Sequence, residues 1–449
     1  MATLNDEIRA HGDSPVRLLR SGRTGAYPFP IRAEFTNWRD EQESWRTTAA
    51  LMDLSHHMTD LHVEGPDCYR LLAALGANSF AGFGPMKAKQ FITCSPDGHM
   101  IGDCILFCLA ENVVRIVGRP PALNWVQYNA EAGGYDVTVR RDERTAQNPH
   151  GRELYRLQLQ GPNAAAVFEK VNAGPLPAIP FFGMGKFTVG GKQVTALNHR
   201  MSGFPGLEFF GPYAELEDVR AAVLEPGRDY GLRQIGGRAY ASVATESGWI
   251  ANTVPAVYTG EELKDYRDWL HERTFEANLS LGGSFVSPNV EDYYVTPWDL
   301  GYGHILKFDH EFVGRAALER RASDKHRTKV WLAWHREDVA KVFSSMYEPG
   351  GGRFKYIEMP AAFYAASQFD RVERGGELVG LSTLCSYTAN VRGWISIAMI
   401  DTDAVGYGDE VELVWGEPDR MEPSPAVESH TQTTIRATVV ARPFPADKS

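Results

Sequence analysis

The chain has 449 residues, of which 43% are hydrophobic and 23% are charged, a balance that favours two or three folded domains over long disordered segments. Its 46 basic and 57 acidic residues give a net charge of −11, which argues against a nucleic-acid or anionic-membrane surface as the partner. No apolar run reaches the roughly 18 residues that span a membrane, the polar start MATLNDEIRA is unlike a signal peptide, and five scattered cysteines do not form a disulfide framework, so we expect a cytoplasmic protein.

An internal repeat organises the first half of the chain. Residues 61–67 (LHVEGPD) and 157–163 (LQLQGPN) each predict a short strand and a glycine turn, and each is followed by apolar residues at helical spacing. The proline of each copy stands near the first position of the predicted helix, where its missing N–H costs nothing. Strand, turn and helix, twice over, predict two related α+β units.

Further strands are predicted between and after the two copies. Apolar runs beside turn residues predict strands at residues 100–107, 113–119 and 207–210, and a hairpin around Gly190-Gly191 at 187–197. Pro120 cannot donate a hydrogen bond to a sheet, so it should end the strand before it.

A polar, charged stretch at residues 319–328 predicts a linker to a last, strand-rich region. In that region, strand segments are predicted at residues 330–334, 396–400, 411–415 and 435–440. Because Gly and Pro clusters separate them, the pattern predicts an antiparallel barrel or sandwich.

Several common catalytic motifs are absent. The sequence has no Gly-x-Gly-x-x-Gly, Walker A, Gly-x-Ser-x-Gly or His-Glu-x-x-His pattern, which argues against dinucleotide, P-loop, hydrolase and zincin chemistry. His56 and His57 are adjacent, so in a strand they would point to opposite faces and could not easily bind one metal ion. Cys104 and Cys108 are interpreted as thiols of the core. We expect no metal site.

Four residues stand where a site could form. Arg119 follows a predicted strand and could offer a fork of donors to a carboxylate, a phosphate or an aromatic oxygen, or lie on the surface. Glu208 lies in an apolar strand, where it could bind the N–H edge of a heterocycle if it points inward; taken alone, a solvated outward position is favoured. Tyr240 could donate a proton and Trp249 could stack on a flat ring, although both residue types are more often core aromatics.

Short motifs in a characteristic order add to these residues. They are residues 55–58 (SHHM), 98–103 (GHMIGD), 157–162 (LQLQGP), 206–208 (GLE) and 246–248 (ESG). In this combination the chain resembles the glycine-cleavage T-protein (aminomethyltransferase) family over nearly its whole length. Within that family, the tetrahydrofolate-dependent aryl O-demethylases of vanillate and 3-O-methylgallate are most similar at residues 25–30 (GAYPFP), 118–121 (GRPP), 238–240 (RAY) and 291–295 (EDYYV).

The resemblance implies an α+β fold of three domains arranged as a cloverleaf. Two α+β domains and a C-terminal β-barrel would surround a central folate channel. On the sequence we expect the first unit at residues 1–150, the second at 151–320, and the barrel at 325–449; the first two units can interleave. A homo-oligomer is left open.

The resemblance also implies residues for folate and for catalysis. Glu208 would hold the pterin edge, Gln158 would be a second polar contact, and Trp249 would lie beside the aminobenzoyl ring. Tyr240 would lie beside the ether oxygen. Asp103 matches an aspartate near the reacting nitrogen, where it could tune the folate, contact the substrate or be structural.

An aryl pocket is implied at Tyr27, His57 and Arg119. The demethylases that bind an aromatic acid have a second tyrosine two residues after the position of Tyr27, and here that residue is Phe29. The missing hydroxyl removes a hydrogen-bond donor and favours a more apolar substrate.

The predicted activity is a tetrahydrofolate-dependent one-carbon transfer that cleaves an aryl ether. A methoxy-aromatic compound would pass its methyl group to N5 of tetrahydrofolate while Tyr240 donates to the leaving oxygen. The first alternative is methylene transfer from a methylenedioxyphenyl compound such as a sesamin-type lignan, giving a catechol and 5,10-methylenetetrahydrofolate. The second alternative is a non-catalytic folate-binding accessory protein.

Overall fold

The computed structural model describes residues 1–22, 30–201, 203–419 and 426–444. Two predicted substrate-binding residues, Tyr27 and Phe29, lie outside the described residues. Within the described ranges, no helix has both the length and the apolar character to cross a membrane.

The described part of the chain contains 19 strands. They are β1 (Ala49–Asp53), β2 (Thr59–Glu64), β3 (Lys87–Cys94), β4 (Met100–Ala110), β5 (Val113–Gly118), β6 (Thr138–Asp142), β7 (Leu154–Gln160), β8 (Met184–Val189), β9 (Lys192–Leu197), β10 (Gly206–Pro212), β11 (Leu232–Ile235), β12 (Leu281–Gly282), β13 (Thr328–Trp334), β14 (Ser367–Gln368), β15 (Asp370–Arg374), β16 (Glu377–Thr388), β17 (Gly393–Ile400), β18 (Glu410–Trp415) and β19 (Thr433–Val440).

The helices are short, between four and 13 residues long. They are α1 (Leu4–Ala10), α2 (Pro15–Ser21), α3 (Trp38–Thr47), α4 (Cys68–Leu75), α5 (Pro120–Ala132), α6 (Ala164–Val171), α7 (Leu216–Gly227), α8 (Gly237–Tyr240), α9 (Val243–Ser247), α10 (Lys264–Trp269), α11 (Phe275–Asn278), α12 (Arg315–Arg321) and α13 (Arg336–Ser344). Single 3₁₀ turns occur at Thr145–Gln147, Tyr213–Glu215, Arg228–Tyr230, Glu261–Leu263, Val290–Tyr293, Gly303–Ile305 and Ser345–Tyr347.

The first sheet is antiparallel and has the order β3-β4-β5-β2-β6. Leu61 and Val63 of β2 are fully buried in one core with the apolar stripes of α4 and α5. As predicted, β5 ends at Gly118 and Pro120 begins the next helix, α5. This places Arg119 at the end of a central strand.

The second sheet has the order β11-β1-β7-β10-β9-β8. Only the β1–β11 pair is parallel among its described pairings. Strand β1 precedes the whole first sheet in the chain, yet it lies between β11 and β7 of the second sheet. The domain boundaries near residues 150 and 320 stay a prediction.

The repeat predicted from the sequence is confirmed as two strand–turn–helix units, β2–α4 and β7–α6. Its two glycines, Gly65 and Gly161, have φ angles of +141° and +119°. A side chain at Gly161 would place Cβ 2.7 Å from the carbonyl oxygen of Thr48. Each turn therefore requires glycine, both for the φ angle and for the close backbone approach.

The C-terminal region is a closed barrel with the strand order β13-β17-β16-β15-β18-β19. Alternate side chains of β13, such as Val330 and Leu332, fill its interior. The predicted linker at 319–328 is shorter than expected, because α12 continues to Arg321 and β13 begins at Thr328. Burial of Leu318 and the Arg315–Glu319 pair, at 3.0 Å, extend this helix into the polar stretch.

The barrel and the second unit meet at α9. The indole N–H of Trp331, on the outer face of β13, donates to the Thr245 carbonyl oxygen at 2.7 Å. The carboxylate of Glu246 accepts hydrogen bonds from Trp45 of α3, at 2.8 Å, and from Thr388 and Asn390 at the end of β16. Helix α9 is thus held from both sides.

The two sheets contact each other at Arg115 of β5. This side chain is fully buried, and its guanidinium carbon lies 4.8 Å from the Phe107 ring centroid and 3.9 Å from that of Phe210 in β10. Its Nε lies 3.6 Å from Asp60 Oδ1, which provides the counter-charge. The cation is therefore held between aromatic rings of both sheets.

We expect Gly161→Ala to destabilise the fold by about 1–3 kcal/mol, because it combines a left-handed φ with a backbone clash. Urea unfolding followed by circular dichroism should show a lower midpoint. Gly174→Ala is the matched control, since a Cβ there meets no atom within 4 Å. Equal midpoints for the two variants would contradict the assignment of strain to the Gly161 turn.

Candidate functional site

A cavity of about 880 Å³ lies where the two sheets and the barrel meet. Its size is within the range of pockets that bind small molecules, roughly 300–1,000 Å³. Six of the predicted site residues line it: His57, Asp103, Arg119, Glu208, Tyr240 and Trp249. The barrel contributes Lys329 and Leu384 to the same wall.

Tyr240 and His57 form a pair inside this cavity. The Tyr240 hydroxyl lies 3.1 Å from His57 Nε2, and the two rings meet edge to face at 5.3 Å. Burial lowers the pKa of His57 well below its ordinary value, and the positive charges of Arg156 and Arg119 add to this effect. Burial also raises the pKa of Tyr240. The pair is therefore a protonated phenol beside a neutral imidazole.

Arg119 brings a cation to the cavity. It stands at the N-cap position of α5, directly after β5, and its guanidinium carbon lies 5.3 Å from the Phe275 ring centroid. Burial, helped by the charge of Arg144, lowers the pKa of Arg119 to about 10, so the group stays charged at neutral pH. Its Nε is buried and has no hydrogen-bond partner among the described residues. This cation can bind an anion that enters the cavity.

Glu208 points inward, so the solvated alternative for this residue is wrong. The residue is 3% exposed, and its Oε1 lies 3.2 Å from Arg156 Nη1. The pairing of β7 with β10 explains the contact, because Glu208 is the register partner of Gln158, two residues after Arg156. The charge is thus buried as an ion pair.

Gln158 is fully buried, but it is not among the residues that line the cavity. Its Nε2 donates to the His199 carbonyl oxygen at 3.3 Å. Its Oε1 has no hydrogen-bond partner among the described residues. Gln158 therefore lies next to Glu208 in the sheet rather than on the cavity surface.

Asp103 is surrounded by hydrogen-bond donors. Its Oδ2 accepts from Gln90 Nε2 at 2.7 Å, from the Tyr302 hydroxyl at 2.8 Å and from Trp249 Nε1 at 3.0 Å. Burial raises the pKa of Asp103, and the Trp249 and Tyr302 donors oppose that shift. The indole of Trp249 is consequently fixed by Asp103.

Sequence reasoning missed several residues of the site, and the available signals differ. Arg156 could have been found, because Arg156, Gln158 and Gln160 alternate with apolar residues along β7 and so share one face. Tyr302 lies outside the motifs given above, and no sequence spacing indicates its contact with Asp103, 199 residues earlier in the chain. Lys329 is a single charge in an otherwise apolar strand and gave no signal.

The described residues contain no group of three or more His, Cys, Asp or Glu side chains that could hold a metal ion. The five cysteines are buried free thiols. Cys104 lines the cavity, and burial raises its pKa well above the ordinary value, which disfavours the reactive thiolate.

Comparison with known proteins gives one family match and two similar enzymes. The family model of the GCVT N-terminal domain matches residues 9–253. The chain is 44% identical to the syringate O-demethylase of a Sphingobium species, with 99% of this chain and 97% of that protein covered. It is 28% identical to the sesamin methylene transferase of a Sinomonas species, with coverages of 85% and 82%.

The fold of this chain matches the solved structure of the glycine cleavage system aminomethyltransferase T from Bartonella henselae, with a TM-score of 0.60 and 16% identity. The match covers 99% of this chain and 98% of that one. The similarity confirms the predicted three-part α+β fold with a C-terminal barrel.

The ring of His57 should stay neutral at pH 6.5, the ordinary histidine pKa, because burial and two neighbouring arginines disfavour its charged form. Nitrogen-15 NMR of histidine-labelled protein measures this directly, with His57→Gln identifying the signal. Titration of that signal with a midpoint near pH 6.5 would contradict the buried, neutral state.

Proposed function

This chain belongs to the family of the GCVT N-terminal domain, and on that basis we propose that it transfers the methyl group of an aryl methyl ether to tetrahydrofolate. The full-length relative that demethylates syringate supports a methoxy-aromatic substrate. The methylene-transferring relative is less similar, so methylene transfer is not favoured. A non-catalytic role is not favoured either, since both of these relatives are named as enzymes.

The observation that carries the proposal is the hydroxyl of Tyr240, which is held protonated next to a neutral imidazole inside the cavity. An aryl methyl ether is slow to cleave because the leaving phenolate is a poor leaving group. A positioned donor lowers that barrier by hydrogen bonding to the oxygen as negative charge develops. In this proposal Tyr240 is the donor and His57 orients its hydroxyl.

Arg119 would bind the anionic end of the aromatic substrate. Its guanidinium lacks a described partner at Nε and shares the cavity with Tyr240 and His57. A planar guanidinium binds a carboxylate through two parallel hydrogen bonds, which also fixes the orientation of the ring. An aromatic acid bound in this way would have its methoxy oxygen next to the Tyr240 hydroxyl, because the two hydrogen bonds to its carboxylate fix the direction of the ring.

The cavity walls also fit a reduced pterin. Arg156 binds Oε1 of Glu208, which leaves Oε2 able to accept from the N–H edge of a heterocycle. Asn252 lines the same cavity, and its Oδ1 is buried without a partner among the described residues. When bound, tetrahydrofolate would supply the nucleophilic nitrogen that accepts the methyl group. Glu208 and Trp249 would hold it, and Gln158, which does not line the cavity, would support Glu208 from the neighbouring strand.

The balance of the reaction is simple. The bond between the methyl carbon and the ether oxygen would break, and tetrahydrofolate would accept the methyl group at N5 and release the N5 proton. The ether oxygen would leave as a phenol after gaining a proton from Tyr240, and the proton released from N5 restores the balance. The three side chains that donate to Asp103 all bind Oδ2, so Oδ1 can accept a hydrogen bond from a ligand. We propose that Asp103 contacts the ligand near the reacting nitrogen.

Tyr240→Phe should lower kcat by about 10²–10⁴-fold, the usual contribution of general acid catalysis, and leave the affinity for tetrahydrofolate unchanged. Turnover is followed by mass detection of 5-methyltetrahydrofolate with syringate as substrate, and affinity by calorimetry. Tyr155→Phe is the control, because that hydroxyl is buried in the second sheet without a described partner. Equal losses in turnover and affinity for Tyr240→Phe would refute the donor role.

Glu208→Gln should weaken tetrahydrofolate binding by about ten-fold or more, because it removes a charge-assisted hydrogen bond in a buried site. Calorimetric titration with tetrahydrofolate measures the change. Glu153→Gln serves as a control, since the Glu153–Arg140 pair lies near the surface and away from the cavity. An unchanged affinity for Glu208→Gln, with a native circular dichroism spectrum, would remove Glu208 from the folate site.

A further inference from the structure

Lys329 is a positively charged residue of the barrel that lines the cavity. In β13, Val330 and Leu332 belong to the barrel core, so Lys329 and Trp331 lie on the opposite, outer face. Trp331 packs against α9 through its hydrogen bond to Thr245. Lys329 therefore projects into the space between the barrel and the first sheet, and it lines the cavity there.

The ammonium group of Lys329 lies beside the cavity without a described hydrogen-bond acceptor. It is half-buried, and burial lowers its pKa, although the charge of Asp103 opposes that shift. Its Nζ lies 6.0 Å from the Tyr302 ring centroid. Within the described ranges Nζ makes no hydrogen bond, and no carboxylate oxygen lies within 4.0 Å of Nζ.

Charge balance for Asp103 is the obvious structural explanation, but the contacts argue against it. Asp103 already accepts three hydrogen bonds, and each of them comes from a residue other than Lys329. A lysine kept to neutralise Asp103 would be expected to make an ion pair with it, since a partly buried cation gains most from direct contact. The amine faces the cavity instead.

We propose that Lys329 binds a carboxylate of a ligand held in this cavity. The identity of the ligands rests on the proposed function, which brings two sources of that group: the glutamyl part of tetrahydrofolate, and the acid group of an aromatic substrate, for which Lys329 would compete with Arg119. Either one would complete the hydrogen bonds of a partly desolvated ammonium. The Tyr302 ring centroid lies 6.0 Å from its Nζ, and Tyr302 and Trp249 are both fixed by Asp103, so the carboxylate would enter a part of the cavity with fixed aromatic side chains.

The test compares Lys329→Met with the wild-type protein in calorimetric titrations against three probes. Tetrahydrofolate has glutamyl carboxylates, 6-methyltetrahydropterin keeps the pterin without any carboxylate, and syringate is an aromatic acid. We expect tetrahydrofolate or syringate to bind about ten-fold or more weakly to the variant, and 6-methyltetrahydropterin to bind equally to both proteins. The probe that loses affinity identifies the source of the carboxylate.

Lys89→Met is the matched control. Lys89 is also half-buried, burial lowers its pKa, and its Nζ lies 5.8 Å from an aromatic ring centroid, that of Phe80. It does not line the cavity. All three affinities of this variant should equal those of the wild type. Lys329→Arg should recover most of the lost affinity, because it restores the charge.

Two results would overturn the inference. Unchanged affinity for both carboxylate probes would show that Lys329 does not bind that group. An equal loss for 6-methyltetrahydropterin would show a general structural effect. Both differ from failure of the proposed function, in which the wild-type protein itself would bind neither tetrahydrofolate nor the pterin.

Discussion

The buried carboxylate of Glu246 is the contact on which the geometry of the site depends. It accepts hydrogen bonds from Trp45 on one side and from Thr388 and Asn390 of the barrel on the other. Burial raises its pKa to about 7, so the group is costly to charge and depends on these donors. The same short segment carries Tyr240 before it and Trp249 after it. The position of both cavity residues therefore follows from one set of contacts that joins three parts of the chain.

The charge around the cavity is opposite to that of the whole chain. The chain has a net charge of −11, yet its cavity-lining residues include Arg119, Arg144, Arg156, Arg200, Arg238 and Lys329 against Asp103, Glu208 and Glu358. A concave surface with low-dielectric walls concentrates such a field. Anionic ligands are thus attracted to the cavity, whereas the outer surface repels them. The pair of Tyr240 and His57 stays neutral within this positive surrounding, which keeps the phenol proton available for donation.

Local patterns made the fold predictable, and distant contacts limited the prediction of the site. Period-two alternation and glycine turns predicted both strand–turn–helix units, because each depends on residues a few positions apart. Glu208 could not be oriented from its own strand, since its burial depends on Arg156 of the neighbouring one. The Tyr240–His57 and Tyr302–Asp103 contacts join residues 183 and 199 positions apart. Their family motifs identified three of these four residues, but no spacing rule could reveal the contacts themselves.

Strand β13 serves two purposes at once, with Trp331 docking the barrel and Lys329 reaching the cavity from the same outer face. Because side chains alternate along a strand, inserting or deleting a single residue between Thr328 and Trp331 would exchange the two faces. Lys329 would then enter the apolar barrel core, and Val330 would take its place. Insertions and deletions of one residue should therefore be rare in β13 among related proteins, whereas substitutions that preserve its register should be tolerated. The two-residue spacing between Lys329 and Trp331 should therefore be conserved even where the residues around these two side chains differ.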